Sequence, residues 1–205
     1  MSFTQTTVRN YDLVLASGSP RRRDILDQIG VLHRIIIPTI DETQRFTESA
    51  TNYVTRLALE KACAGCLMND SDTPVLGADT ILVCDGQVFG KPVNYLNFKE
   101  MFTSLSGQTH SVLSAVAIDH KGKSVVLLSK TWVTFRAITE REITTYWETG
   151  EPEGKAGGYA IQGYGSVFVK HIKGSYSGVV GLPIAETCQL LSKFDVPKWQ
   201  SPIAE

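Results

Sequence analysis

Several common specialisations are missing from this 205-residue sequence, and each absence narrows the field. Charge is almost balanced, with 20 Lys and Arg against 21 Asp and Glu, so no general attraction to nucleic acid or to an acidic membrane surface is expected. No apolar run approaches the roughly 20 residues that span a bilayer. Met1–Asn10 is polar where a secretory signal would carry an apolar centre. The 4 cysteines do not form a disulfide framework. Cys63 and Cys66 make one Cys-x-x-Cys pair inside a helical stretch, away from the helix start where a thiol would be activated, and no second pair completes a zinc site. His33, His110, His120 and His171 show no ligand spacing, and there is no internal repeat. What remains is a cytoplasmic protein of one domain over residues 1–205, with 1–11 and 197–205 as peripheral tails. Its 42% hydrophobic and 20% charged residues suit a buried core.

What is present begins at Leu13-Val14-Leu15-Ala16, a buried-strand pattern broken by Ser17-Gly18-Ser19. Ser19 reads as the N-cap of a helix and Pro20 as its first residue. Ile25, Leu26 and Ile29 supply its apolar face and Gly30 its stop. Arg21, Arg22 and Arg23 crowd the first turn, where free N–H groups and the helix dipole oppose each exposed cation by about 0.3–1 kcal/mol. A bound polyanion reverses that sign, because helix N-termini and arginine forks both favour phosphate. Without one, the turn is simply a solvated basic surface.

Val31–Ile37 reads as the next strand, and Asp41-Glu42 follows it at the end where open α/β sheets gather ligands. These acids are either solvated or contacts for a divalent metal or substrate. A helix is expected from Ala50 to Met68, with Lys61 beside its apolar stripe, where it either snorkels to water or meets an anion. Val75–Cys84 reads as a strand that turns at Asp85-Gly86 into Gln87-Val88-Phe89. Asp79 is anomalous there, since an acid among apolar strand residues is either structural or a base or ligand. Gly86–Lys91 is a false match to a Walker loop: only three residues separate its glycines, and Pro92 takes the Ser/Thr position. Lys91 remains a candidate phosphate contact.

Asn94 caps a helix ending at Gly107, Thr109–Ile118 and Ser124–Phe135 read as strands, and Thr139 with Glu142 spells a capping box. The glycine-rich stretch Glu151–Gly165 must bend sharply or approach something closely. Gln162 within it either reads a base edge or bonds its own loop. Gly163-x-Gly165 is no Rossmann fingerprint, because Phe168 replaces the third glycine. A strand over Ser166–Ile172 and a last helix starting at Pro183, with Ile184, Thr187, Leu190, Leu191 and Phe194 inward, complete the chain. Everything past Pro197 is expected to fray.

Taken in order, Ser17-Gly18-Ser19-Pro20-Arg21-Arg22, Asp41-Glu42, Lys61, Gly77-Ala78-Asp79-Thr80, Gly90-Lys91-Pro92, Gly158-Tyr159-Ala160-Ile161-Gln162-Gly163 and Val180-Gly181-Leu182-Pro183 closely resemble the Maf family. The resemblance runs from about Leu13 to Phe194. It implies an ITPase-like α/β fold, an elongated mixed sheet flanked by helices, with two lobes around a central cleft. It also implies hydrolysis of a nucleoside triphosphate to the monophosphate and pyrophosphate with a divalent cation, Mg2+ or Mn2+, and suggests a homodimer. By position, Asp79 resembles the family's catalytic base, Ser17, Arg21, Lys61 and Lys91 its substrate-binding residues, and Glu42 with Asp79 its metal ligands. Arg21, Thr80 and Gln162 match positions that separate substrate branches. Their identities look like the branch acting on dTTP and UTP, including modified pyrimidine nucleotides, a house-cleaning role. One departure is Gly178-Val179, where many members carry Asn-Val, so any side-chain contact made by that asparagine does not carry over, while the core chemistry does.

The residue chemistry agrees. Attack at the α-phosphorus needs an activated water, charge on the phosphate oxygens and cations for the leaving pyrophosphate. Two rivals stand beside this expectation. One is the same chemistry on another base, such as 7-methylguanosine triphosphate. The other is a non-catalytic nucleotide- or nucleic-acid-binding regulator of cell division, which predicts salt-sensitive polynucleotide binding and no pyrophosphate release. Balanced charge and the internal Asp79 argue against the second.

Overall fold

A computed structural model describes residues 11–200. The first half is parallel: β1 (Leu13–Ala16), α1 (Pro20–Gln28), β2 (His33–Ile36), α2 (Ala50–Met68) and β3 (Val75–Cys84), with β1 between β2 and β3. The second half is antiparallel. β3 turns into β4 (Gln87–Phe89), and after α3 (Tyr95–Leu105) it pairs with β5 (Thr109–His120). β6 (Lys123–Phe135), α4 (Glu140–Glu148), β7 (Val169–Lys173), α5 (Tyr176–Val180) and α6 (Ile184–Lys193) follow. The resulting mixed sheet runs β2-β1-β3-β5-β6-β7, with β4 on the end of β3. This is the mixed α/β architecture that the motifs implied. Among the described residues, no helix is long and apolar enough to cross a membrane.

The two lobes meet along β3, whose successive side chains face opposite ways. On one face Leu76 and Ala78 join a core with Leu15, Leu26, Ile118, Leu190 and Leu191. Further along the same face, Leu82 and Cys84 join a second core built on Phe98, Phe102, Phe135, Tyr146 and Phe168. Thr80 falls between them. The opposite face is covered by α2, whose Val54, Ala58 and Ala62 pack on Ile81, Leu113, Ala115 and Ala117. Asp79 lies on that second face. The polar pair Asp79-Thr80 therefore interrupts the apolar strand where the two cores meet, on both faces of the sheet.

α2 reaches β3 closely because residue 77 is glycine: an added Cβ would overlap Ala58 O and Ala62 N. Cys63 and Cys66 lie further along α2 and donate to the Asp119 carboxylate at 3.4 and 3.2 Å. Burial, then Asp119, pushes the Cys66 thiol up to about 12, the state of an inert structural cysteine.

Three local expectations need correction, and one short helix was not anticipated. The strand expected over 166–172 is split: Tyr164–Phe168 forms a 3-10 turn and β7 starts at Val169. Phe168, at the end of that turn, is buried in the aromatic core. The segment leading to Gly181 contains the short helix α5, capped by Ser175 accepting from Gly178 N–H. Ser19 occupies the N-cap position without a side-chain cap bond; its own N–H is taken by Ser17 Oγ at 3.3 Å. Residues 197–200 do not fray, for Trp199 and Gln200 N–H donate to Ile29 O and Gly30 O at 2.9 Å each. The Gln200 side chain also donates to Asp12 at 2.9 Å. Tails 1–10 and 201–205 lie outside the described residues.

Candidate active site

At the seam between the lobes lies a cavity of about 590 Å³, and Ser17, Arg21, Glu42, Lys61, Asp79, Thr80, Lys91 and Gln162 all line it. These eight site residues named from the sequence are thus brought to one place.

The acidic wall is made by α2 and β3. Lys61 Nζ sits 2.7 Å from Asp79 Oδ1 and 2.7 Å from Glu42 Oε1, so this lysine meets protein anions and does not snorkel. Glu42 is carried by an irregular loop that α2 straps down. Tyr53 Oη donates to Glu42 O at 2.7 Å, and Arg56 donates to Thr43 O at 3.0 Å while pairing with Glu48 at 2.7 Å. Burial opposes the Glu42 charge, but Lys61, then Lys91 and Arg22, hold its carboxyl below the usual range. Asp41 instead accepts from Thr43 N–H at 2.9 Å on the exposed side of the loop, the solvated role open to it.

The basic wall is the first turn of α1. Arg21 Nε donates to Val180 O at 3.3 Å and Arg22 Nε to Gly181 O at 2.9 Å, while Arg22 Nη1 reaches Ser17 Oγ at 2.9 Å. Arg23 turns away to pair with Asp24 at 3.2 Å in solvent. The arginine triplet is therefore divided, two members inward and one solvated. Burial pushes Arg21 and Arg22 below the ordinary guanidinium value, the mark of cations with less water than they need. On the sheet, Thr80 Oγ1 lies 2.9 Å from Ser114 Oγ and donates to Gly181 O at 3.4 Å, and Ser114 donates to Gly178 O at 2.5 Å. The 178–181 backbone is thus held from α1 and from β3 and β5.

Lys91 follows β4, and Lys155 and Gln162 arrive on the glycine-rich loop. Burial, then the Arg21 charge, pushes Lys155 down from the ordinary lysine value. Among the described residues, no hydrogen bond ties the Gln162 side chain to its own loop. Arg22, Tyr53, Lys155 and Ser114 were not singled out from the sequence as site residues. Arg22 and Lys155 had a signal, one in the arginine triplet and the other among clustered glycines. Tyr53 and Ser114 had none, because each acts through a backbone carbonyl outside its own element.

Among the described residues, no three His, Cys, Asp or Glu side chains are grouped to enclose a metal. Glu42 and Asp79 nevertheless converge on one cation position, filled by the Lys61 ammonium, and among the described residues each keeps its second carboxylate oxygen without a protein partner. Magnesium commonly takes only one or two carboxylates and completes its shell with water and phosphate oxygens. The donor set fits a cation shared with a phosphorylated substrate.

The span that holds these residues also carries a likeness to known proteins. A family described as Maf-like protein matches residues 12–194. The chain belongs to the Maf family. Relatives named dTTP/UTP pyrophosphatase include one from Saccharophagus degradans, 49% identical over 193 residues and covering 93% of this chain and 92% of its own. One from Salmonella typhimurium is 50% identical over 183 residues, covering 89% and 93%. One from Vibrio parahaemolyticus is 47% identical over 188 residues, covering 91% and 98%. A solved structure titled nucleoside-triphosphatase / dITP/XTP pyrophosphatase, from Mycobacterium abscessus, aligns over 89% of this chain and 95% of its own, with TM-score 0.43 and 16% identity. The Maf motifs at 17–22, 41–42, 77–80, 90–92, 158–163 and 180–183 all contribute residues to the cavity described above.

Proposed function

We propose that this Maf protein hydrolyses dTTP and UTP, with modified pyrimidine counterparts, to the monophosphate and pyrophosphate. The observation that carries the reading is one cavity with the Asp79–Lys61–Glu42 cluster on one wall and Arg21, Arg22, Lys91 and Lys155 around it. A triphosphate laid between them meets cations along its length, and its α-phosphorus faces the acid. Relatives near 50% identity that bear the name dTTP/UTP pyrophosphatase support the same reading.

In this reading Asp79 is the general base. Its Oδ1 is engaged by Lys61, which leaves Oδ2 to accept the proton of the attacking water. The water oxygen bonds to the α-phosphorus as the α–β bridging P–O bond breaks, and the electron pair leaves on pyrophosphate. Arg21 and Lys91 take up that growing charge, Ser17 fixes Arg22 behind it, and Lys61 orients both carboxylates. Glu42 and Asp79 would hold a divalent cation, Mg2+ or Mn2+, which when bound neutralises phosphate oxygens.

Thymine and uracil each offer two carbonyl acceptors and one N–H, and the Gln162 amide supplies both complementary functions. Arg21 and Thr80 act on the 180–181 backbone, through Val180 O and Gly181 O. Discrimination against cytosine then depends on the Gln162 amide being held in one orientation, because the flipped amide would satisfy cytosine N3 and its amino group. The cytoplasm, where nucleoside triphosphates are made and used, is the compartment that suits this chemistry.

The test is pyrophosphate release from dTTP, UTP, CTP and 7-methylguanosine triphosphate, with and without Mg2+ or Mn2+. The reading expects dTTP and UTP to lead and chelation to abolish turnover. Highest turnover on 7-methylguanosine triphosphate would transfer the chemistry to the other base, and no pyrophosphate from any of them would end the reading.

A further inference from the structure

The glycine-rich loop brings Lys155 and Gln162 to the cavity, yet among the described residues no sheet ladder holds it there. Glu151 supplies the missing restraint. Its Oε1 accepts from Tyr146 Oη at 2.7 Å and from Gly165 N–H at 2.8 Å, and its Oε2 accepts from Tyr164 N–H at 2.9 Å. Tyr146 Oη in turn accepts from Ala160 N–H at 3.3 Å. The Lys155 ammonium donates to Glu151 O at 2.5 Å. Gln162 is therefore slung between Ala160 and Tyr164, both tied to one carboxylate–phenol pair. Gly163 packs against that carboxylate so closely that any Cβ would overlap it. Burial opposes the Glu151 charge, but the Gly165 N–H and Tyr146 hydroxyl outweigh it and keep the carboxyl below the usual range. Glu151 itself does not line the cavity.

We propose that Glu151 is a positioning residue for base recognition: its carboxylate clamps the 160–165 turn and so fixes the Gln162 amide against the pyrimidine edge. This rests on the reading of Gln162 as the base-reading group. The bonding pattern makes the clamp specific to a carboxylate. In Glu151→Gln the amide nitrogen, whichever way it is turned, faces either Tyr164 N–H or Gly165 N–H, and one backbone donor loses its acceptor.

Two measurements separate the clamp from the base-reading role. Hydrogen exchange over residues 160–165, read without substrate, should speed up in Glu151→Gln; unchanged exchange overturns the clamp. The dTTP-over-CTP ratio of kcat/KM should fall by on the order of tenfold, through KM more than kcat, as expected for one lost charge-assisted bond. In the Gln162→Ala background, Glu151→Gln should cost no further selectivity, because both changes act on one contact. An unchanged ratio, independent losses in the double variant, or an equal fall in kcat on every nucleotide overturns the positioning role. Should Glu151→Gln fail to fold, Tyr146→Phe, which spares both backbone bonds to the carboxylate, is read in the same way with a smaller expected change. Faster exchange in an enzyme that shows no preference among pyrimidines refutes Gln162 as the reader and with it the positioning role, while leaving the clamp itself in place.

Discussion

Lys61→Met is the most searching single perturbation of this site. The substitution keeps the stem on α2 and removes only the ammonium that lies 2.7 Å from both Asp79 and Glu42. The Lys61 and Asp79 side chains are 13% and 12% exposed, so their pair is close to buried, and breaking it should cost about 3 kcal/mol, the lower end for a buried pair. Glu42 is 49% exposed, and its half of the bridge adds at most about 1 kcal/mol after solvent screening. Urea unfolding at neutral pH should therefore show a loss of roughly 3–4 kcal/mol. The pH dependence carries a second signature. Glu42 is held below its ordinary range, so it adds stability above that range, and the addition is lost as pH falls through its folded value. Without Lys61, burial is opposed only by the smaller effects of Lys91 and Arg22. The rise in stability with pH on the acid side should then flatten or reverse, because a carboxyl raised by folding loses stability as pH increases. Turnover should fall by about 100-fold or more, since the base loses the group that orients it. A variant with wild-type stability, an unchanged acid limb and near-normal turnover would refute the bridging role.

Other predictions follow from the same geometry. Gly77→Ala should destabilise by about 1–3 kcal/mol from overpacking against Ala58 and Ala62, and should lower turnover by lifting Lys61 off Asp79; normal turnover in a stably folded variant would contradict this coupling. Cys66, with its thiol pushed up to about 12, should resist alkylation at pH 8 in the folded protein and react on unfolding. Rapid labelling of the native chain would overturn its structural role.

Much of this was legible because it is local. The β1 pattern, the span of α2, the Asp85-Gly86 hairpin and the Thr139–Glu142 capping box are all set by residues within a turn or two of one another. Asp79 was visible as an acid out of place in an apolar strand, and the structure gives the reason: it marks the seam between two cores. What was not legible depends on distant partners. Phe168 ends the expected strand early because an aromatic core assembled from α3, α4 and β6 takes it. Residues 197–200 look like a polar tail until Ile29 and Gly30 offer them carbonyls. Glu151 reads as one more loop acid, since its donors at Tyr146, Tyr164 and Gly165 become neighbours only when the loop closes. Short α5 contains a glycine and too few residues to show a helical period.

The central claim, that Asp79 activates water against the α-phosphorus of a triphosphate held by the arginine turn, is tested most directly by product analysis. Phosphorus NMR of dTTP incubated with enzyme and Mg2+ should show dTMP and pyrophosphate, and Asp79→Asn should slow their formation by about 100- to 10,000-fold while nucleotide binding persists. Release of dTDP and orthophosphate, or an Asp79→Asn variant as fast as the wild type, would contradict it.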